Sequence, residues 1–391
     1  MDFRNLNPLN IHANFLSGNL LPLESGVSRF SIAWKLYSVL IWLLLLAQII
    51  VLIPGLVMVP WEKALIDGTV VIVVNIEIFF MVGRIYARRE LVDRLIRKLN
   101  EMLRNEDEIM RNVVTTIFQP MNAPLKFYWL AGSLSVFLWC CVPFLLVSQK
   151  TSFRYEDYRI PAVFSKQPFS VGVFLMGNIF LLIGNMYTFL KKGSVDIYMI
   201  HLVMMMTAQY RYTAKKLAAI FRDANLRSKM EQSSLEADGW TEKEMKALCR
   251  HYTAVQCLSA LLRQLLSLSF SMIYINSVLR FCFIGIMLGT VLATTFIEGF
   301  VIVTFTCGSV LQFYMLCLCL QQLRDASKDM TEEAFHEEWY RFGSSIKRTF
   351  MLMALACNLE CKISTNDKFN LSLPSFMTIL NRSYSIALLL L

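Results

Sequence analysis

The sequence predicts an all-α membrane protein: seven transmembrane helices, N-terminus cytoplasmic, C-terminus extracellular, with extended cytoplasmic helices forming a subunit anchor. Three observations lead there. Apolar residues make up 56% of the chain and charged residues only 17%, outside the usual range of soluble domains. Seven separate apolar stretches approach the roughly 20 residues needed to cross the hydrocarbon, and the last runs to Leu391 with no hydrophilic tail. The basic residues are confined to alternate loops.

Residues 1–30 form a mixed cytoplasmic arm carrying Arg4, His12, Glu24 and Arg29. No cleavable signal pattern is present, so the first span inserts as itself. The spans fall at 31–59, 66–86, 127–147, 169–190, 266–290, 296–320 and 372–391. Pro54, Pro60 and Trp61 mark the outer end of the first, where an indole suits the interface. Residues 84–111 continue the second span as an amphipathic helix with Leu91, Leu95, Leu99 and Leu103 on one face.

The region 191–265 reads as a cytoplasmic helical anchor. Residues 197–221 extend the fourth span, 223–239 form a polar linker, and a capping box at Thr241 and Glu244 opens the helix that leads into the fifth. A further anchor helix is expected at 331–361, within the segment 321–371. Helices that protrude from the membrane with apolar faces must bury them together or against other subunits.

Charge sets the orientation. With the N-terminus inside, 28 Lys and Arg residues lie on the cytoplasmic side and 5 on the other. Basic residues retained in cytoplasmic loops decide topology. Because they are spread over several loops, the net charge of +9 does not indicate nucleic acid.

Several functions are disfavoured. HExxH, GxSxG, Walker and GxGxxG signatures are all missing, so an enzyme is not expected. The four histidines have no metal-ligand spacing, and neither a metal nor a cofactor is expected. The ten cysteines fall in spans or on the reducing side and read as packing residues. Asn381-Arg382-Ser383 has the form of a glycosylation sequon but lies inside the last span. Acids in spans are few, notably Glu77 and Glu298, and no internal repeat marks a transporter.

The C-terminal third carries Glu338-Trp339-Tyr340, Lys347-Arg348 and Leu373-Pro374-Ser375-Phe376. Ile379-Leu380, Ser383-Tyr384-Ser385 and a terminal leucine run follow. Together these resemble the insect odorant receptor family, specifically over 335–391 and in layout over the whole chain. The tail departs from the Thr-Tyr…Gln-Phe signature of the related gustatory receptors. The obligate co-receptor, with a longer cytoplasmic insert and a different tail, is a poorer match. A G-protein-coupled receptor would need the reverse topology, and neither Asp-Arg-Tyr after the third span nor Asn-Pro-x-x-Tyr in the seventh is present. A gustatory-type channel is the first alternative, with a G-protein-coupled receptor or a transporter behind it.

The resemblance implies the ligand-tuned subunit of a tetrameric, odorant-gated, non-selective cation channel. Its partners would be a small volatile organic ligand, co-receptor subunits in a heterotetramer, membrane lipid and permeant cations. The expected location is the plasma membrane of sensory-neuron dendrites. The seventh span would line the pore, where Ser383, Ala387 and Leu391, at i, i+4 and i+8, share one face. A ring of Leu391 would form a hydrophobic constriction. The family's gate has a bulky aliphatic residue at the position of Ala387, and this chain departs there. Arg382 has two open roles, repelling cations or pairing in a crevice.

The implied ligand pocket is walled by the second, third, fourth and sixth spans. Candidates at suitable depth are Phe79, Phe80, Phe137, Trp139, Met176, Phe180 and Phe300, each also explicable as core or lipid contact. Apolar burial would supply about 25 cal/mol per Å². Gly177 and Gly184 read as sites of close helix approach.

Overall fold

The computed structural model describes residues 2–24, 30–104, 107–230, 234–289, 296–357 and 371–390. The chain is an all-α membrane protein. Helix α1 spans Pro8–Leu16, α2 Ile32–Met58, and α3 Trp61–Lys63, which passes through a π-helical turn, Ala64–Gly68, into α4, Thr69–Ala87. There follow α5 (Arg89–Leu103), α6 (Glu108–Cys141), α7 (Val171–Met230), α8 (Ser234–Gly289) and α9 (Phe296–Lys328). The short α10 (Glu332–Phe335), then α11 (Ser344–Cys357) and α12 (Leu373–Leu390), complete it. Among the described residues, six helices, α2, α4 and α6 to α9, are long and apolar enough to cross a membrane, and α12 adds 18 residues.

The 60 residues of α7 run about 90 Å at 1.5 Å per residue, three times a ~30 Å hydrocarbon core. Much of α7 therefore projects beyond the membrane, and the same holds for α8. Their projecting halves share a core with α1, α5 and α11. Met199, Met204, Met205 and Met206 of α7 are buried there with Leu95 and Leu99 of α5, Leu258 and Leu262 of α8, and Phe350 of α11. Thioethers fill the irregular gaps where several helices meet.

Local breaks differ from the sequence expectation. The helix expected over 84–111 is interrupted at Arg88, whose φ of −111° and ψ of 26° end α4. A second stop comes before Asp107, which caps α6 by accepting from the Ile109 N–H at 3.0 Å. The expected linker 223–239 is largely helical, since α7 reaches Met230 and α8 starts at Ser234. Thr241 is thus inside α8 and buried, with no capping role. Residues 331–361 are likewise not one helix: a 3₁₀ turn at Trp339–Arg341 separates α10 from α11. Residues 358–361 lie outside the described set.

The N-terminal arm is structured rather than merely polar. Phe3 and Leu21 are fully buried, and the Phe3 carbonyl meets the His201 Nε2 at 3.1 Å. The loop between α6 and α7 is also folded. Strands β1 (Ser152–Phe153) and β2 (Phe169–Ser170) pair antiparallel, and Phe153, Tyr155, Tyr158, Phe169 and Phe174 form a separate aromatic core. This loop docks on α2 through a Val163 N–H bond to the Val51 carbonyl, 3.0 Å long. Gly55 permits the contact, because a Cβ there would overlap the Pro161 backbone. Gly184 admits the Gln48 amide of α2, a close helix approach, whereas Gly177 makes room for Tyr158 of the folded loop and not for a second helix.

Candidate ligand cavity and its polar floor

A cavity of about 130 Å³ lies inside the helix bundle. Engineered cavities of ~150 Å³ admit benzene, so the space suits one small organic molecule. Its wall draws Val70, Val71 and Val74 from α4, Trp139 from α6, Phe189 from α7 and Phe305 from α9. Helix α8 adds Met287, and the outer loop adds Ile160. The second to sixth spans thus all contribute to this cavity.

Two polar assemblies bound this apolar space. Toward the outer loop, Asp67 takes ion pairs from Lys63 at 2.7 Å and from Arg159 at 3.8 Å. The Arg159 guanidinium also stacks over the Trp139 ring, 4.0 Å from its centroid. A cation on an aromatic face is attracted by the ring quadrupole, so the loop is fastened to the cavity wall.

The floor is a buried charge network. Lys192 on α7 pairs with Glu77 of α4 at 3.0 Å and with Asp196 one turn on. Asp196 also accepts from the Tyr128 hydroxyl at 3.2 Å and from the Gln312 amide. Gln312 in turn accepts from Arg280 Nη1 at 2.9 Å. Two carboxylates and two cations, all buried, thus meet on three helices, α4, α7 and α8, and Tyr128 and Gln312 tie in α6 and α9. Buried charges persist only when paired and hydrogen-bonded. The sequence carried the signal for this network: ionisable residues inside apolar spans require partners.

Of the seven sequence candidates, Trp139 alone lines the cavity. Phe79 packs against Trp42 with ring centroids 4.9 Å apart, Phe80 against the main core, and Phe180 against Phe164 of the outer loop. Phe137, Met176 and Phe300 point outward and are exposed, Met176 at 69%. Hydropathy places a residue at a depth but not on a side of its helix, and these six are corrected as contacts of this cavity. The aromatic residues found instead are Tyr128, Phe189 and Phe305.

The seventh span also differs in facing. Ser383 and Ala387 do share a face, but it is turned into the subunit. Ser383 donates its hydroxyl to the Val278 carbonyl at 3.2 Å, and Ala387 is 2% exposed beside Gly285. Phe376 and Ile379 continue this buried stripe. Leu391 lies outside the described residues. The opposite face of α12 presents Thr378, Asn381, Ser385 and Leu388, all exposed. Spacing identifies which residues travel together, and only packing shows what they meet.

A chain of aromatic ring contacts runs from beside the cavity floor to α12. Arg280 is followed by Phe281, which packs on Phe313 at 5.7 Å between centroids, and Phe313 packs on Phe376 of α12 at 5.8 Å. Phe313 itself follows Gln312 of the floor.

The model of the family described as 7tm Odorant receptor matches residues 63–384. Odorant receptor 67a of Drosophila melanogaster is 19% identical over 170 residues, which cover 44% of this chain and 40% of that relative. The olfactory receptor OR5 of Machilis hrabei superposes with a TM-score of 0.78 at 13% identity, over 98% of this chain and 96% of that one. Its complex with eugenol superposes equally well, over 100% of both chains. Identity this low speaks for a shared fold.

Proposed function

This chain belongs to the seven-transmembrane odorant receptor family, and on that premise we propose that it is the ligand-tuned subunit of an odorant-gated, non-selective cation channel. It works in a heterotetramer with the odorant co-receptor, in the dendritic plasma membrane of insect olfactory neurons. The observation that carries this reading is the mostly apolar cavity inside the bundle, two of whose wall helices, α8 and α9, pack on α12. The solved complex of OR5 with eugenol supports a small volatile as occupant.

Burial of apolar surface supplies the affinity. Gating follows if the ligand binds better when α12 has moved from the axis, because only a difference in affinity shifts a population. The tilted ring contacts Phe281–Phe313–Phe376, which begin next to Arg280 and Gln312 of the floor, are the route by which the cavity bears on α12.

The conduction path runs along the exposed face of α12. Thr378, Asn381 and Ser385 lie directly opposite the buried stripe. A polar stripe on a transmembrane helix belongs against water or protein rather than lipid. Leu388 continues that face toward the helix end and narrows the path by dewetting.

Co-expression with an odorant co-receptor and recording of odorant-evoked cation current tests the proposal. Trp139→Ala and Phe305→Ala should raise the half-maximal ligand concentration. Absence of current with a broad volatile panel, while the chain is at the surface, counts against it.

A further inference from the structure

Two deeply buried polar groups on the cavity wall have no hydrogen-bond partner among the described residues: Arg280 Nε on α8 and Ser135 Oγ on α6. Arg280 is 5% exposed and Ser135 2%, and both line the cavity. The guanidinium is not free to turn away, because its Nη1 is held by Gln312 at 2.9 Å. Around these two donors the upper wall is apolar, with Val70, Val74, Trp139 and Phe305. A buried donor left unmatched is costly, so an occupant that brings an acceptor is selected over one that does not.

We propose that the cavity selects small neutral volatiles carrying one carbonyl oxygen (ketones, aldehydes or esters), with that oxygen accepting the Arg280 Nε–H. The assignment rests on the cavity being the odorant site. Arginine is a donor only, so a hydrocarbon leaves Nε unmatched, and an ammonium group competes with it as a second donor. A carboxylate would accept, but it adds a third negative charge where Glu77 and Asp196 already balance Lys192 and Arg280. An unbalanced buried charge is strongly disfavoured. A carbonyl oxygen offers two lone pairs without charge, enough for Arg280 and for the Ser135 hydroxyl.

The test compares pairs that differ only in C=O against C=CH₂: cyclohexanone with methylenecyclohexane, and acetophenone with alpha-methylstyrene. Binding is read as thermal stabilisation of the full-length protein in detergent. The wild type should bind each ketone at least about tenfold more tightly than its alkene, the effect of one hydrogen bond to a charged group. Arg280→Met removes the Nε–H together with every other donor at this position and should bring that ratio close to one. Ser135→Ala should lower it by a smaller factor, and the wild-type comparison stands whether or not a variant folds. Equal binding of ketone and alkene overturns the carbonyl assignment and leaves the cavity as a ligand site. Failure of either pair to stabilise a protein with an intact unfolding transition overturns both.

Discussion

Lys192 of α7 and Glu77 of α4 meet at 3.0 Å in the middle of the bundle, with both side chains 4% exposed. Since Lys192 also pairs with Asp196, the lysine is the hub of the floor and Glu77 one of its two acceptors.

Lys192→Met should therefore be the worst single change in the floor. It strands two carboxylates, and breaking a buried pair from one side costs about 3–5 kcal/mol. Glu77→Gln leaves Asp196 in place and should cost clearly less. Thermal unfolding in detergent and surface expression would show the ranking, and equal effects would remove Lys192 from the central position.

The outer loop should depend on Gly55. Any side chain there drives Pro161 off α2, displacing Ile160 from the cavity wall. Gly55→Val should increase protease cleavage within 149–170 and reduce ligand sensitivity, while surface expression persists. A loop as resistant as in the wild type would show that the docking is dispensable.

Asp107 should confer acid sensitivity on the junction of α6 and α7. Burial pulls its pKa up, but hydrogen bonds from Lys216, Tyr212 and the Ile109 N–H outweigh this and hold it below the ordinary 3.8. A depressed carboxylate pKa means its stabilisation is full above the ordinary value and is lost as pH falls through the lower folded value. Asp107→Ala should lower stability by about 1–2 kcal/mol at neutral pH through loss of the cap. The gap should close on acidification below about pH 4. A gap independent of pH would assign the loss to packing alone.

Cysteine scanning of α12 should separate its two faces. In channels that contain the chain, Asn381→Cys and Ser385→Cys should make the current sensitive to a water-soluble thiol reagent. Ser383→Cys and Ala387→Cys should not, since those positions pack against α8. The reverse pattern would place the buried stripe on the pore axis and refute the assignment.

Much of the architecture is legible in the sequence because hydropathy and charge act through sums along the chain. A long apolar run is a span wherever its side chains point, and basic residues on alternate loops orient the bundle without any contact being known. The amphipathic leucines of α5 belong to the same class of signal, although the breaks at Arg88 and before Asp107 depend on local backbone geometry.

Membership of the cavity depends instead on the rotational phase of five helices and on one docked loop. Trp139 and Phe137 stand two residues apart, yet one lines the cavity and the other is exposed. Ser383, Ala387 and Leu391 share a face by spacing alone, but the Val278 carbonyl turns Ser383 inward and Ala387 with it. The sequence by itself determined a seven-span receptor with ionisable residues in need of partners. Only the tertiary structure decided that Glu77, Lys192, Asp196 and Arg280 satisfy one another beneath a single cavity, because pairing of buried charges is settled by distance in space.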